Sequence, residues 1–266
     1  MFFTGGISLR TWDRIGMLDR EVVLYQKLHQ YGVQTSFVTY GDSRDLEYAC
    51  RIPGIKICCN KWNLPKKMYE LFLPLLHTAV MRRTDIVKTN QMRGADIALR
   101  CSRLWNKKFI ARCGYIWSTD IRNKEDHDLD ILNTALATEE KVFTSADHII
   151  LTTQEMKKSV VSRFPSQVDS ITVIPNYVDT DNFYPEGISK REIGTLCFVG
   201  RLSPEKNLEN LLMAVNNTAY RLQIVGMGPL KDKLERIGEK NKNINFIDRI
   251  PNNELPKLLN KCSAFV

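Results

Sequence analysis

Short apolar runs alternate with amphipathic stretches along nearly the whole chain, and the spacing switches between strand-like and helix-like each time. Phe2 and Phe3 read as the end of a first strand, with Thr4-Gly5-Gly6 as its exit turn. Leu18, Val22, Tyr25 and Leu28 recur at helical spacing and predict a helix over 17–31 that stops at Gly32. Strands follow at 34–40 and 55–59. A helical pattern runs over 66–83 with Pro74 inside it, which predicts a kink or a break. The first half continues as strand 85–89, helix 94–105 and strand 108–112. A charged loop then runs to about 128, followed by helix 129–143, strand 147–152, helix 154–164 and strand 171–174.

From 184 to 193 the chain turns polar, with Pro185, Gly187 and Ser189, and this stretch is the predicted linker. The alternation then restarts: strand 195–199, helix 207–216, strand 220–225, helix 229–240, strand 244–247, helix 253–261 and a strand beginning at Ala264. Short apolar strands between amphipathic helices mean parallel sheets. The expectation is therefore α/β, with one domain over 1–183, a linker over 184–193 and a second domain over 194–266. Ligands in such folds lie beyond the carboxyl ends of the strands, here expected in a cleft between the domains. The second half holds three strands and the start of a fourth, and it stops at Ala264-Phe265-Val266. That is too little for a full doubly wound domain, so a truncated second domain is expected.

Composition narrows the class. No apolar run of about 18 residues exists, so no transmembrane helix is expected. The amino terminus lacks the basic and apolar regions of a signal peptide. Seven cysteines, an odd number with no C-x-x-C, argue for a reducing compartment and against a disulfide framework or zinc site, and the location expected is cytoplasmic. The four histidines show no metal-ligand spacing, and no metal is expected. The net charge of +8 is uneven: Arg51 to Arg112 carries fourteen Lys or Arg against three acids, interleaved with Trp62, Met68, Tyr69, Phe72 and Trp105. Such a patch suits an anionic lipid surface at the inner membrane face, a phosphorylated substrate, or solvent alone. No nucleic-acid motif accompanies it, and no nucleic-acid partner is expected.

Candidate chemistry concentrates at 196–207, Leu-Cys-Phe-Val-Gly-Arg-Leu-Ser-Pro-Glu-Lys-Asn. A buried strand ends at Gly200, Arg201 and Lys206 follow in a loop, and a helix begins at Asn207. Backbone N–H groups at a helix start and two fixed cations converge readily on a diphosphate. The alternative is an ordinary strand–loop–helix connection with two solvated cations.

These residues, with Leu222-Gln-Ile-Val-Gly-Met-Gly-Pro-Leu230 and the helix at 254–259, resemble the nucleotide-binding half of retaining glycosyltransferases of family 4 (group 1). Val173-Ile-Pro-Asn-Tyr-Val-Asp179, followed by Phe183, resembles that family's "pNGvD…F" stretch, with Tyr177 at the glycine position. The resemblance implies a GT-B fold of two Rossmann-like domains and a nucleotide-sugar donor. By position, Arg201 and Lys206 would contact the donor diphosphate and take the place of a metal ion. Gly200, Gly226 and Gly228 would allow close approach to the nucleotide; a tight turn is the structural alternative for the Gly-x-Gly. In the first half Gly5 and Gly6 follow the strand, whereas Gly16 stands nearer the family's helix-start glycines and is favoured for the donor phosphates.

Two departures stand out. The family's histidine after the strand at 108–112 is missing, with none before His127, and Arg112 or Tyr115 is the candidate to face the acceptor. Arg112 is equally readable as structural. The family's Glu-x7-Glu pair is absent, since no two glutamates are eight apart. The chain as given is therefore expected to be inactive on its own. The activity implied is transfer of a sugar, with retention, from a nucleotide-sugar donor to a glycan or lipid-linked acceptor. The rivals are another GT-B enzyme, such as a sugar-nucleotide epimerase, and a truncated non-catalytic nucleotide-binding module.

Overall fold

A computed structural model describes residues 1–123, 128–187, 190–239 and 241–266. It separates into two compact units, Met1–Tyr177 and Val178–Val266.

The first unit runs α1 (Leu9–Arg14), α2 (Leu18–Gln30), β1 (Thr35–Val38), β2 (Ile55–Cys58), α3 (Lys66–Leu76), α4 (Thr78–Arg82), β3 (Ile86–Lys88), α5 (Ala95–Leu104), β4 (Lys108–Cys113), α6 (Trp117–Arg122), α7 (Leu129–Ser145), β5 (His148–Leu151), α8 (Gln154–Arg163) and β6 (Ile171–Val173). All strand pairings are parallel. Phe2 is not a full strand. It makes single parallel bridges to Val38 and to Thr89, and so joins the β1–β2 pair to the β3-β4-β5-β6 sheet. The period of two decides the layers: Phe2 and Val38 enter one apolar cluster, while their neighbours Phe3 and Phe37 enter the other. The first cluster packs Val87, Phe109, Ala111, Ile149 and Leu151 against Ala98, Cys101, Val142 and Val160 of the helices. The second is aromatic, with Phe3 stacked on Trp12 at 3.9 Å and Tyr25 edge-on to Phe37 at 4.9 Å.

The second unit runs β7 (Glu192–Val199), α9 (Leu208–Val215), β8 (Arg221–Val225), α10 (Lys231–Gly238), β9 (Ile244–Ile247), α11 (Leu255–Lys261) and β10 (Cys262–Phe265). Its parallel sheet has the order β10-β7-β8-β9. Phe198, Leu202, Leu212, Leu222, Ile224 and Leu234 form its core.

The α/β reading of the sequence holds, with local corrections. The predicted loop after β4 contains α6. The signal is hidden because the helix is held by a distant partner: the buried Glu139 carboxylate accepts from the Ser118 backbone N–H (2.8 Å) and hydroxyl (2.7 Å), and pairs with Arg163 at 2.5 Å. The stretch before Gly16, whose hydrophobic pattern predicts no element, folds as α1. Its start is met by buried Asp45, which accepts from Leu9 N–H at 3.2 Å and the Thr39 hydroxyl at 2.6 Å. The predicted helix 66–83 does break, at His77 rather than at Pro74 itself. Proline removes the N–H that would reach the Glu70 carbonyl, and the Arg100 guanidinium donates to that carbonyl instead. Ile188 and Ser189 of the predicted linker, and His127, lie outside the described residues.

Candidate functional site

The loops that leave the carboxyl ends of β7 and β8 are fastened to each other. Gly200 N–H donates to Val225 O (3.0 Å), Leu202 N–H to Met227 O (3.0 Å), and Leu230 N–H to Leu202 O (3.0 Å). Gly226 sits at φ +152, and a methyl added there would overlap the Gly200 carbonyl oxygen. A methyl on Gly228 would stand 2.7 Å from the Leu202 backbone carbon and nitrogen. The Gly-x-Gly turn is thus required by the neighbouring loop: only without Cβ atoms do the two backbones approach this closely. This packing fixes where Arg201 is presented.

Leu202 and Ser203 are buried, and Arg201 and Lys206 on either side of them are exposed. Among the described residues neither cation belongs to an ion pair. Between them lies a short 3-10 turn, Pro204–Lys206, and then Asn207 in the left-handed region at φ 51. The first turn of α9 receives no side-chain cap, so its N–H groups are left for solvent or an anion. The acid present is Glu205. Its carboxylate accepts from the Ser203 hydroxyl at 2.6 Å, and its pKa is lowered first by that bond, then by its own backbone N–H, and also by the charges of Arg201 and Lys206. Both cations therefore act on one locale. The structure brings together Gly200, Arg201, Lys206, Gly226 and Gly228.

The first-unit candidates sit elsewhere in the fold. Arg112, near the carboxyl end of β4, donates to Asn90 O (2.9 Å) and Asn176 Oδ1 (2.8 Å). Its guanidinium thereby ties the end of β4 to the loops after β3 and β6. Two neutral partners orient the group without neutralising it. Near it, half-buried Lys88 donates to the Tyr25 hydroxyl at 2.9 Å, and burial, aided by Arg112, lowers the Lys88 pKa to about 8. Tyr115, on the loop after β4, is 41% exposed, and partial desolvation of its hydroxyl, then Asp120, raises its pKa. The same loop is pinned by Gly114 N–H donating to Gln91 Oε1 at 2.8 Å. Gly16 ends α1, with its N–H on Asp13 O, whereas Gly5 follows Phe2 and Phe3 and donates to Arg93 O at 2.8 Å. Tyr177, at the family's glycine position, donates its hydroxyl to the Arg20 carbonyl of α2. A glycine there could not make that contact.

Sequence reasoning missed Asn90, Gln91 and Asn176 as supports of Arg112 and the β4 loop. The available signal was a set of amide side chains placed just after strands. Among the described residues no group of three or more His, Cys, Asp or Glu is placed to hold a metal ion, and all seven cysteines are free thiols.

The family profile "Glycosyltransferase Family 4" matches residues 22–182, and "Glycosyl transferases group 1" matches residues 182–266. No curated protein gives a significant match. Among solved structures the chain is similar to HepE of Anabaena, crystallised with UDP and glucose (14% identity, 99% of this chain and 72% of that one, TM-score 0.69). It is similar as well to a sucrose-phosphate synthase of Thermosynechococcus elongatus (15% identity, 94% and 67%, TM-score 0.69). A UDP-N-acetylglucosamine 2-epimerase of Rickettsia bellii shares the fold more distantly (11% identity, 100% and 72%, TM-score 0.56). With one family profile covering more than half of its residues and the other covering the rest of the second unit, this chain belongs to glycosyltransferase family 4 and has the GT-B type of fold.

Proposed function

We propose that Arg201 and Lys206 hold the diphosphate of a nucleotide-sugar donor, and that the sugar passes to a glycan or lipid-linked acceptor with retention of configuration. The observation that carries this reading is two exposed cations with no ion-pair partner among the described residues, beside an uncapped helix start and on a loop that Gly226 and Gly228 lock in place. As the bond from the anomeric carbon to the phosphate oxygen breaks, negative charge builds on the leaving diphosphate. Cations already in position stabilise that charge more in the transition state than in the ground state. The acceptor hydroxyl attacks the same face of the sugar, its oxygen forms the new bond, and a diphosphate oxygen takes its proton. Arg201 and Lys206 supply the electrostatic role a metal ion would otherwise fill, so no metal is needed.

Gly16 and Gly200 are proposed to line the donor phosphates, and Arg112 and Tyr115 to face the acceptor. Arg112 is suited to this because Asn90 and Asn176 orient it without cancelling its charge. The basic region 51–112 is proposed to contact an anionic membrane from the cytoplasmic side. Residues 1–183 and 194–266 would serve as the acceptor-side and donor-side domains. In a chain that includes the acidic Glu-x7-Glu pair, Arg201→Ala should abolish donor turnover, and NMR of the product should show the donor's anomeric configuration. Turnover at the wild-type rate would overturn the diphosphate role. An epimerase would release free product without any acceptor, so product formed at full rate in acceptor-free assays would favour that reading instead.

A further inference from the structure

Helix α3 is apolar on two sides. Tyr69 and Leu73 face the core. Met68, Leu71, Phe72 and Leu75, spaced i, i+3, i+4 and i+7, lie on a different side and are 46%, 58%, 40% and 60% exposed. Four such positions fall within an arc of about 100°. A helix with only one buried face has no structural need for this second stripe, and contiguous exposed apolar surface on two neighbouring helices marks an interaction site. Helix α5 runs beside it: Arg100 donates to the Glu70 and Leu71 carbonyls, and Leu104, one turn further on, is also exposed.

Cations outnumber acids on the helices that carry and flank the stripe. Helices α3, α4 and α5 carry Lys67, Arg82 and Arg100, all exposed, while Lys66 lies on the opposite side of α3 and Arg103 donates to the Ser145 carbonyl; the acids are Glu70 and Asp96. Glu70 is itself paired with Lys66 at 3.8 Å. Exposed Lys61 and Trp62 precede α3, with the lysine 5.1 Å from the indole centroid. An apolar stripe rimmed by cations and by an interfacial tryptophan matches an anionic bilayer, where side chains enter the acyl boundary and the cations meet headgroup phosphates. A water-soluble acidic protein would satisfy the cations and leave Leu71 and Leu75 without an apolar counterpart.

We infer that the outer face of α3, with Arg100 and Leu104 of α5, is a docking surface for an anionic lipid membrane. This deepens the membrane contact proposed above and does not depend on the donor site. The test is cosedimentation of the purified chain with phosphatidylcholine vesicles containing 30% phosphatidylglycerol, and with pure phosphatidylcholine vesicles. Expected are binding to the anionic vesicles, at least tenfold weaker binding to the neutral ones, and loss of most binding in 0.5 M salt. Leu71→Asp with Leu75→Asp should lower anionic-vesicle binding at least tenfold. Far-UV circular dichroism and the calorimetric response to nucleoside diphosphates should stay unchanged in that variant, because both leucines are exposed.

Absence of vesicle binding in the wild type overturns the proposal, and so does undiminished binding in the double variant. Wild-type self-association in sedimentation velocity that the double variant abolishes, without vesicle binding, also overturns it and assigns the stripe to contacts between copies. The nucleoside-diphosphate titration reads the donor proposal separately, so either can fail while the other stands.

Discussion

Replacing Gly226 with alanine tests the packing on which the site is built. The residue lies at φ +152, and the added methyl would overlap the Gly200 carbonyl oxygen. Backbone cannot yield as a flexible side chain does, so the loop over residues 200–202 must retreat by about an ångström. Holding a non-glycine residue in this sparsely populated conformation costs about 1–3 kcal/mol. Retreat also stretches the bonds from Gly200 N–H to Val225 O and from Leu202 N–H to Met227 O, each worth roughly 1 kcal/mol. The total is about 3–5 kcal/mol. That is a large part of the stability of an ordinary domain.

The assay must report on the second unit, and tryptophan fluorescence does not. Trp12, Trp62, Trp105 and Trp117 all lie in Met1–Tyr177. Hydrogen exchange of peptides covering 196–206 is the suitable readout. Amide protection there should fall by on the order of a hundredfold or more, in keeping with 1.4 kcal/mol per factor of ten, while peptides from β4 and β5 stay as in the wild type. Unchanged protection at 196–206 would refute the claim that the Gly-x-Gly turn is dictated by the adjoining loop.

Glu139→Ala leaves Arg163 and the Ser118 donors without their partner, and urea unfolding followed by tryptophan fluorescence should show a loss of about 3–5 kcal/mol. His77, hydrogen-bonded to the Tyr69 hydroxyl at 2.9 Å, has its pKa lowered to about 4 by burial, with help from Lys61 and Lys56. The unfolded imidazole binds its proton nearer 6.5, so this stability is full above that pH and is lost as pH falls toward 4. The wild type should lose up to about 3 kcal/mol more than His77→Gln over that interval. Cys50 is exposed while the other six cysteines are buried, and burial raises the Cys101, Cys113 and Cys197 thiols to about 12. Brief iodoacetamide treatment should add one adduct in the native state, at Cys50, and seven after unfolding, read by intact mass.

How much of this was legible in the sequence depended on where each residue's partner lay. The strands β7, β8 and β9 and helices α9 and α10 show plainly because their hydrophobic periodicity is local to each segment. Helix α6 did not, because Glu139 and Arg163, far along the chain, hold its start. Helix α1 was hidden for a similar reason: Asp45 supplies part of its start from thirty-six residues away. Phe2 and Phe3 carried the strand pattern but share only bridges with β1 and β3. At the site, Arg201, Lys206 and the two glycines were readable from spacing and order. The sequence did not tell that the glycines serve the packing of one loop on another. Nor did spacing give Asn90 and Asn176 as the groups that aim Arg112, since they meet only once the four parallel strands β3, β4, β5 and β6 are assembled. The second apolar side of α3 was present in the letters, but periodicity alone does not say which of two faces the core will take.

The most direct measurement is calorimetric titration of the wild-type chain with a panel of nucleoside diphosphates, repeated on Arg201→Ala and Lys206→Ala. A charged hydrogen bond contributes about 1.5–3 kcal/mol, so each variant should bind the preferred diphosphate roughly ten- to a hundredfold more weakly, with the far-UV spectrum unchanged. Wild-type affinity retained in both variants would contradict the assignment of these two cations to the donor diphosphate.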